Sequence, residues 1–247
     1  MLVSVIIPSL NEAETIRQCL LAARRDYPPT TVELIVVDGG SRDGTPDLAA
    51  GEARVIHSPR GRATQMNRGA AKASGDVLVF CHADVQLPAG WREAVLAALQ
   101  GHGVSGGAFQ IAYHPPKGIL HWVNRTTFRG RWIAVHGDRA QFMARETLDA
   151  IGGFPDIPLM EDVEMARALH ERGRIAMVPE RVIASSRRYL EQGPLRQYAL
   201  SVWLVFRYLV LKATPDDIAR AYRSSRERIA VQRGQRGASI EDARRAQ

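Results

Sequence analysis

Four short runs rich in β-branched residues, each followed by a stretch with helical spacing of its apolar positions, constrain this chain more than any other feature. Val3 to Pro8 precedes Thr15 to Arg24, and Glu33 to Asp38 precedes Thr45 to Ala50. Arg54 to His57 precedes Thr64 to Ala73, and Val77 to Cys81 precedes Trp91 to Leu99. Strands joined by helical crossovers run parallel, so the pattern predicts an α/β fold with a mostly parallel sheet and helices on both faces. After Gly101 the rhythm loosens. The glycine-rich stretch Ser105 to Ala108 and the pair Pro115 and Pro116 predict loops and a mixed sheet edge.

A chain of 247 residues with 45% hydrophobic content can bury one substantial core. We expect one domain over 1–190, a helical extension over 191–232 and a basic, disordered tail over 233–247. The apolar run Leu2 to Ile7 lacks a basic flank and is too short for a leader or a spanning helix, and it predicts the first strand. Cys19 and Cys81 sit in apolar patterns without a C-x-x-C motif, which suggests reduced thiols and a cytoplasmic setting. Residues 1–179 carry 19 basic and 19 acidic side chains, whereas 180–247 carry 14 basic and 7 acidic, so the net charge of +7 belongs to the last quarter. With a neutral body and no zinc finger, helix-turn-helix or aromatic RNA-binding signature, a nucleic-acid partner is not expected.

In an open α/β sheet, ligands bind beyond the carboxyl ends of the strands. Here those ends are polar three times over. Pro8-Ser9-Leu10-Asn11-Glu12 follows the first strand, Asp38-Gly39-Gly40-Ser41-Arg42-Asp43-Gly44-Thr45 the second, and His82-Ala83-Asp84 the fourth. Each has an ordinary explanation by itself: Asn11 as a helix cap, Asp43-Gly44-Thr45 as a turn into a cap. Three clusters at three successive strand ends favour a nucleotide site. The first turn lacks G-x-G-x-x-G, which argues against a dinucleotide-binding dehydrogenase, and it is acidic where a sugar-phosphate nucleotidyltransferase would want a glycine-rich basic loop.

Taken together, V-S-V-I-I-P-S-L-N-E, V-D-G-G-S-R-D-G-T, the strand ending in Asp84, and Met160-Glu161-Asp162 before a helix resemble the family 2 inverting glycosyltransferases of the GT-A fold. The resemblance covers roughly residues 2–190 and is nearest to a bacterial subgroup with an H-A-D motif and a G-D-x-x-x-F segment, here Gly137 to Phe142. It implies transfer of a sugar, a hexose by preference, from a nucleotide-diphosphate sugar, UDP favoured, to a hydroxyl acceptor.

The resemblance also implies residue roles. Asp38 would accept a hydrogen bond from the base, with Pro8, Asn11, Glu12, Ser41 and Asp43 lining the same pocket. Arg60 and Gly61 would meet a phosphate, although a plain surface turn explains them as well, and Asn67 would face the donor. Asp84 would hold a divalent metal, Mg2+ or Mn2+, on the diphosphate leaving group. The family usually carries D-x-D at this point; His82 replaces the first carboxylate and puts donor preference in doubt. Asp162 matches the position of the general base, with Glu161 supporting it or touching the acceptor. Arg188 is our choice for a diphosphate clamp, Arg187 reading equally well as a solvated turn. Asp138 either binds acceptor hydroxyls or caps a loop.

Ala199 to Leu211 is nearly all apolar, contains Trp203, Phe206 and Tyr208, and is too short to span a bilayer. It either packs on the domain or, flanked by Arg196, Arg207, Lys212, Arg220, Arg223, Arg226 and Arg228, lies on an anionic membrane surface, where a lipid-linked acceptor would be met. The competing functional reading is a catalytically inactive nucleotide-sugar-binding or membrane scaffold protein, supported by His82 and opposed by the retained Asp84 and Asp162.

Overall fold

The computed structural model describes residues 1–25, 27–126 and 137–225. The chain divides into two compact units, one of residues 1–156 and 160–186, the other of 157–159 and the chain from Arg187 onward.

The first unit is built on strands β1 (Val3–Ser9), β2 (Val32–Asp38), β3 (Arg54–His57) and β4 (Val77–Phe80), all parallel, separated by helices α1 (Ile16–Arg24), α2 (Thr45–Ala49) and α3 (Arg62–Lys72). All seven residues of β1 and all four of β4 are buried, as expected of strands covered on both faces. Helix α4 (Trp91–Leu99) follows β4, and the Trp91 indole N–H donates to the Ala23 carbonyl at 3.1 Å, tying α4 to α1. The register matters for function. Ser9 lies opposite Asp38, and Asp38 opposite His57, so β1, β2 and β3 end level and their following loops emerge side by side.

Strands β5 (Val85–Gln86), β6 (Val104–His114), β7 (Gln141–Ala144) and β8 (Arg174–Ser185) complete an eight-stranded sheet in the order β3-β2-β1-β4-β7-β6-β8-β5. Strand β7 runs antiparallel to both β4 and β6, while β6 and β8 are parallel. Helices α5 (Leu120–Val123), α6 (Arg145–Ile151) and α7 (Glu161–Arg172) belong to this half. One face of the sheet is covered by a cluster in which Met66 of α3, Leu148 of α6 and Met165 and Leu169 of α7 pack on Ile6, Ile35, Leu78 and Met143. Phe80 and Phe154 meet edge to face there at 4.7 Å.

The stretch Ser105 to Ala108 corrects the expectation of a loop or edge: it is buried inside β6, between β7 and β8. Its glycines permit close packing. A Cβ on Gly107 would stand 2.4 Å from both the Ala176 carbonyl and the Phe142 ring, and one on Gly106 would stand 2.8 Å from the Phe142 carbonyl. Strand β8 starts at Arg174 and runs on through Pro179, its register jumping from Phe109 opposite Val178 to Gln110 opposite Arg181. That bulge accommodates Pro179, which lacks a backbone donor, inside a strand whose sequence otherwise reads as interrupted.

The second unit contains α8 (Arg187–Gln192), α9 (Pro194–Leu209) and a helix over 215–225. No helix among the described residues is long and apolar enough to cross a membrane. The tail expected over 233–247, with Arg226 and Arg228, lies outside the described residues.

Candidate active site

The loops after β1 and β2 are laced together by their own polar groups. Asn11 adopts a left-handed conformation with φ 55°, which asparagine tolerates better than most residues. Its N–H donates to the Ser41 hydroxyl at 2.9 Å and its Oδ1 accepts the Arg42 N–H at 2.9 Å. The Glu12 N–H donates to the Thr45 hydroxyl at 2.9 Å, and the Ala13 N–H to Asp43 Oδ2 at 3.0 Å. Asp43 Oδ1 also accepts from the Thr45 N–H and hydroxyl. The Thr45 hydroxyl, outweighing slight burial and joined by the Ala13 and Thr45 amides, holds the Asp43 carboxyl below its ordinary range. Thr15 and Gly44 occupy the N-cap positions of α1 and α2, so Asn11 is not a helix cap. Asp43-Gly44-Thr45 is the expected turn into a cap, with Asp43 accepting the first N–H of α2 while bracing the loop after β1. Glu12 accepts from the Thr15 hydroxyl at 3.0 Å, and Pro8 is buried in β1 opposite Val37.

Asp38 ends β2 and is 1% exposed. Its Oδ2 accepts the N–H groups of Gly40 at 2.9 Å and Ser41 at 3.0 Å, and His57 Nδ1 lies 3.7 Å away. Burial pushes this carboxyl up, but the Ser41 hydroxyl and amide, the Gly40 amide and His57 together bring it below the ordinary value. The other oxygen, Oδ1, is buried with no hydrogen-bond partner. Ser9 Oγ, level with it on β1, and Ser58 Oγ, just past β3, are also buried and unpartnered. A buried polar atom without a partner costs about 1–3 kcal/mol, so three at adjacent strand ends mark a place for a ligand's polar groups.

Two side chains that the sequence did not single out support this end of the sheet. Gln65, buried on α3, donates through Nε2 to the Ser9 carbonyl at 2.9 Å and the Val37 carbonyl at 2.7 Å, pinning the ends of β1 and β2. A polar residue among the apolar positions of α3 was the available signal. Arg62, beside the predicted Arg60 and Gly61, places Nε 2.7 Å from Glu161 Oε1. Arg60 itself is exposed, and Gly61, with φ 150°, precedes α3 where a Cβ would stand 2.9 Å from the Thr64 hydroxyl. Asn67, expected to face the donor, has its amide hydrogen-bonded in both directions to the Phe154 backbone at 2.8 Å.

At the end of β4, Cys81, His82 and Ala83 are buried and Asp84 is partly exposed. Both cysteines are buried free thiols whose Sγ atoms lie 3.5 and 3.6 Å from the His82 carbonyl. The Cys19 thiol and burial push Cys81 well above its ordinary pKa. His82 Nδ1 lies 3.1 Å from Asp138 Oδ1, which brings the G-D segment, a 3-10 turn over Gly137–Arg139, to the H-A-D motif.

Helix α7 opens with Glu161, Asp162 and Glu164, which suit the positive end of its dipole. Glu161 is 1% exposed; its pairing with Arg62 lacks hydrogen-bond geometry, and Oε2 also has no hydrogen-bond partner. Burial pushes its carboxyl up, Arg62 opposes this, Asp162 adds to it and His82 opposes it. Asp162 is partly exposed. Its Oδ1 accepts the Val163 N–H and its carbonyl accepts from Gln141, both at 2.9 Å, which fixes the first turn of α7 to β7. Glu164 pairs with Arg167 at 3.2 Å along the helix. Arg187 and Arg188 lie on α8 in the second unit.

Among the described residues there is no group of three or more His, Cys, Asp or Glu side chains able to hold a metal. A partly exposed carboxylate such as Asp84 suits a hard cation that takes most of its oxygens from a phosphorylated ligand and water, the usual manner of Mg2+.

The family model for glycosyl transferase family 2 matches residues 4–155. Glycosyltransferase AglE of Haloferax volcanii is 35% identical over 122 residues, 45% of this chain and 40% of that protein. Probable glycosyltransferase YdaM of Bacillus subtilis is 27% identical over 197 residues, covering 69% of this chain and 47% of that one. Succinoglycan biosynthesis protein ExoA of Rhizobium meliloti is 29% identical over 195 residues, covering 68% and 58%. The chain thus spans about half the length of these relatives. Among solved structures, S. aureus TarS 1-349 in complex with UDP-GlcNAc aligns with a TM-score of 0.62 at 18% identity over 89% of this chain and 70% of that one. Mannosyltransferase PcManGT from Pyrobaculum calidifontis, in complex with GDP-Man and Mn2+, aligns at 0.56 with 20% identity over 96% and 79%. The fold they share with this chain is GT-A.

Proposed function

The chain belongs to glycosyl transferase family 2, and from that premise we propose that it transfers a hexosyl group from a nucleotide-diphosphate sugar to a hydroxyl acceptor, with inversion and with Asp162 as general base. The observation that carries the donor site is Asp38 Oδ1, a buried carboxylate oxygen without a partner at the level end of β1 and β2. Oδ2 is already occupied by two amides, so one acceptor is left over. Uracil offers a single imide N–H, which matches one acceptor better than the two adjacent donors of guanine. A UDP-sugar is therefore favoured.

In this reading the laced loops carrying Pro8, Asn11, Glu12, Ser41 and Asp43 form the walls around the nucleoside, while Arg60 and Gly61 serve the diphosphate. Asp84 would hold Mg2+ or Mn2+, and the bound cation would neutralise charge on the departing diphosphate. Asp162 takes the proton of the acceptor hydroxyl while that oxygen attacks the anomeric carbon. The bond from that carbon to the diphosphate oxygen breaks on the opposite face, so configuration inverts. His82, held by Asp138, stands where the family usually has a carboxylate. A lipid-linked acceptor and a cytoplasmic, membrane-peripheral setting fit the exposed apolar helix described below.

The test is calorimetric titration with UDP-, GDP- and TDP-sugars, with and without manganese, on the wild type, Asp84→Ala and Asp162→Asn. The reading expects one donor to bind with metal dependence, weakened by Asp84→Ala and spared by Asp162→Asn. Binding of no donor under any condition would move the chain to the inactive scaffold class.

A further inference from the structure

Helix α9 (Pro194–Leu209) and the residues after it leave Leu195, Val202, Trp203, Phe206, Val210 and Leu211 between 43 and 69% exposed. At about 100° per residue, Leu195, Val202, Trp203, Phe206 and Val210 fall on one stripe roughly 100° wide. Gln197 and Leu204, the buried residues of the helix, lie on the opposite side. Trp203 and Phe206 stack within the stripe, with ring centroids 5.7 Å apart and planes 21° from parallel. Exposed large apolar side chains such as Leu21 and Leu48 also occur elsewhere among the described residues, as is ordinary for a protein surface. A contiguous aromatic and aliphatic stripe is not ordinary.

Charge identifies the partner. By the same angular count, Arg196 and Arg207 lie along one edge of the stripe, and Lys212, Arg220 and Arg223 are exposed beyond it. No Asp or Glu occurs over 192–215. Against a second copy of this helix packed antiparallel, where like edges meet, Arg196 and Arg207 would face arginines of the other copy, so that pairing along the stripe is opposed. An anionic surface satisfies both features at once. At 16 residues the helix is about 24 Å long, shorter than a bilayer core.

We propose that α9 docks in the plane of an anionic lipid bilayer, with Trp203 and Phe206 in the acyl boundary and Arg196, Arg207 and Lys212 at the headgroup phosphates. The surface is independent of the donor site, so its test uses no nucleotide.

The full chain is floated with vesicles of phosphatidylcholine alone and of phosphatidylcholine with about one-third phosphatidylglycerol. The proposal expects binding to the anionic vesicles, at least about tenfold weaker binding to the neutral ones, and release by salt. Trp203→Ser with Phe206→Ser should weaken anionic binding roughly tenfold or more. Arg196→Gln and Arg207→Gln should each weaken it about fivefold, and only on the anionic vesicles. These arginine variants keep the test decisive should the aromatic pair affect folding. Leu21→Ser, on the equally exposed α1 position, should change nothing. Failure of the wild type to bind either vesicle overturns the proposal. So does equal loss with Leu21→Ser, or a concentration-dependent dimer that the aromatic variants abolish, which would give the stripe to a second copy.

Discussion

The loops after β1 and β2 and the cluster joining the β4 end to the start of α7 lie at the carboxyl ends of the parallel strands of one sheet, yet they are built from different interactions. In the first, Asn11, Ser41, Asp43 and Thr45 satisfy one another through hydrogen bonds, and the main surplus is one oxygen of Asp38. In the second, charges are set against charges: Arg62 beside buried Glu161, His82 beside Asp138, with Asp84 and Asp162 partly exposed nearby in sequence. A hydrogen-bonded frame fixes shape and selects a ligand by what remains unpaired. A charge cluster is suited to proton transfer and to charge that develops during a reaction.

Acid should therefore act on the two regions in opposite senses. Asp38 and Asp43 have lowered pKa values when folded, so each adds stability that is present above its unfolded pKa and lost as pH falls through its folded one. Glu161 has a raised value, so its ionised form costs stability at neutral pH, and that cost is relieved as pH falls through its folded pKa toward its unfolded one.

The variant expected to separate the regions most sharply is Asp162→Asn, which should lower kcat by about 10²–10⁴-fold and leave the donor dissociation constant unchanged. A matching loss of donor affinity in calorimetry would erase the distinction. Arg62→Gln removes the ion partner of a buried carboxylate. It should destabilise by about 2–3 kcal/mol at neutral pH, below the usual cost of a broken buried pair because Arg62 is one-third exposed. Urea unfolding at falling pH should show that deficit shrinking as Glu161 takes a proton. A pH-independent deficit would make the Arg62 contact one of packing only. Gln65→Leu removes one donor each from the Val37 carbonyl and from the Ser9 carbonyl, which keeps the Gly39 N–H, and should cost about 1–2 kcal/mol, with the donor KM raised more than kcat is lowered. Asp43→Asn is the smallest: about 1 kcal/mol once its solvent exposure is allowed for, present at neutral pH and vanishing in acid.

The first half of the fold was legible because each of its strands is a local apolar run ended by turn residues. Trp91 to Leu99 and Arg54 to His57 have the bounds read from sequence. The second half was less so because its strands depend on distant partners. Gly106 and Gly107 look like loop residues until Phe142 and Ala176 are placed against them, and β8 hides behind Pro179 until the bulge opposite β6 is seen. The site divides in the same way. Asp38, Asp84 and Asp162 announce themselves by position at element ends. Gln65 and Arg62 act across 28 to 99 residues of sequence, onto Val37 and Glu161, and nothing local marks those partners.

The central claim is that the unpartnered oxygen of Asp38 receives the imide N–H of a uracil base. Titration of the wild type with UDP and with UDP methylated at N3 tests it without altering the protein. The account predicts that UDP binds at least about tenfold more tightly, because the methyl group removes the donor and leaves a buried carboxylate oxygen unsatisfied. Equal affinity for the two nucleotides would contradict it.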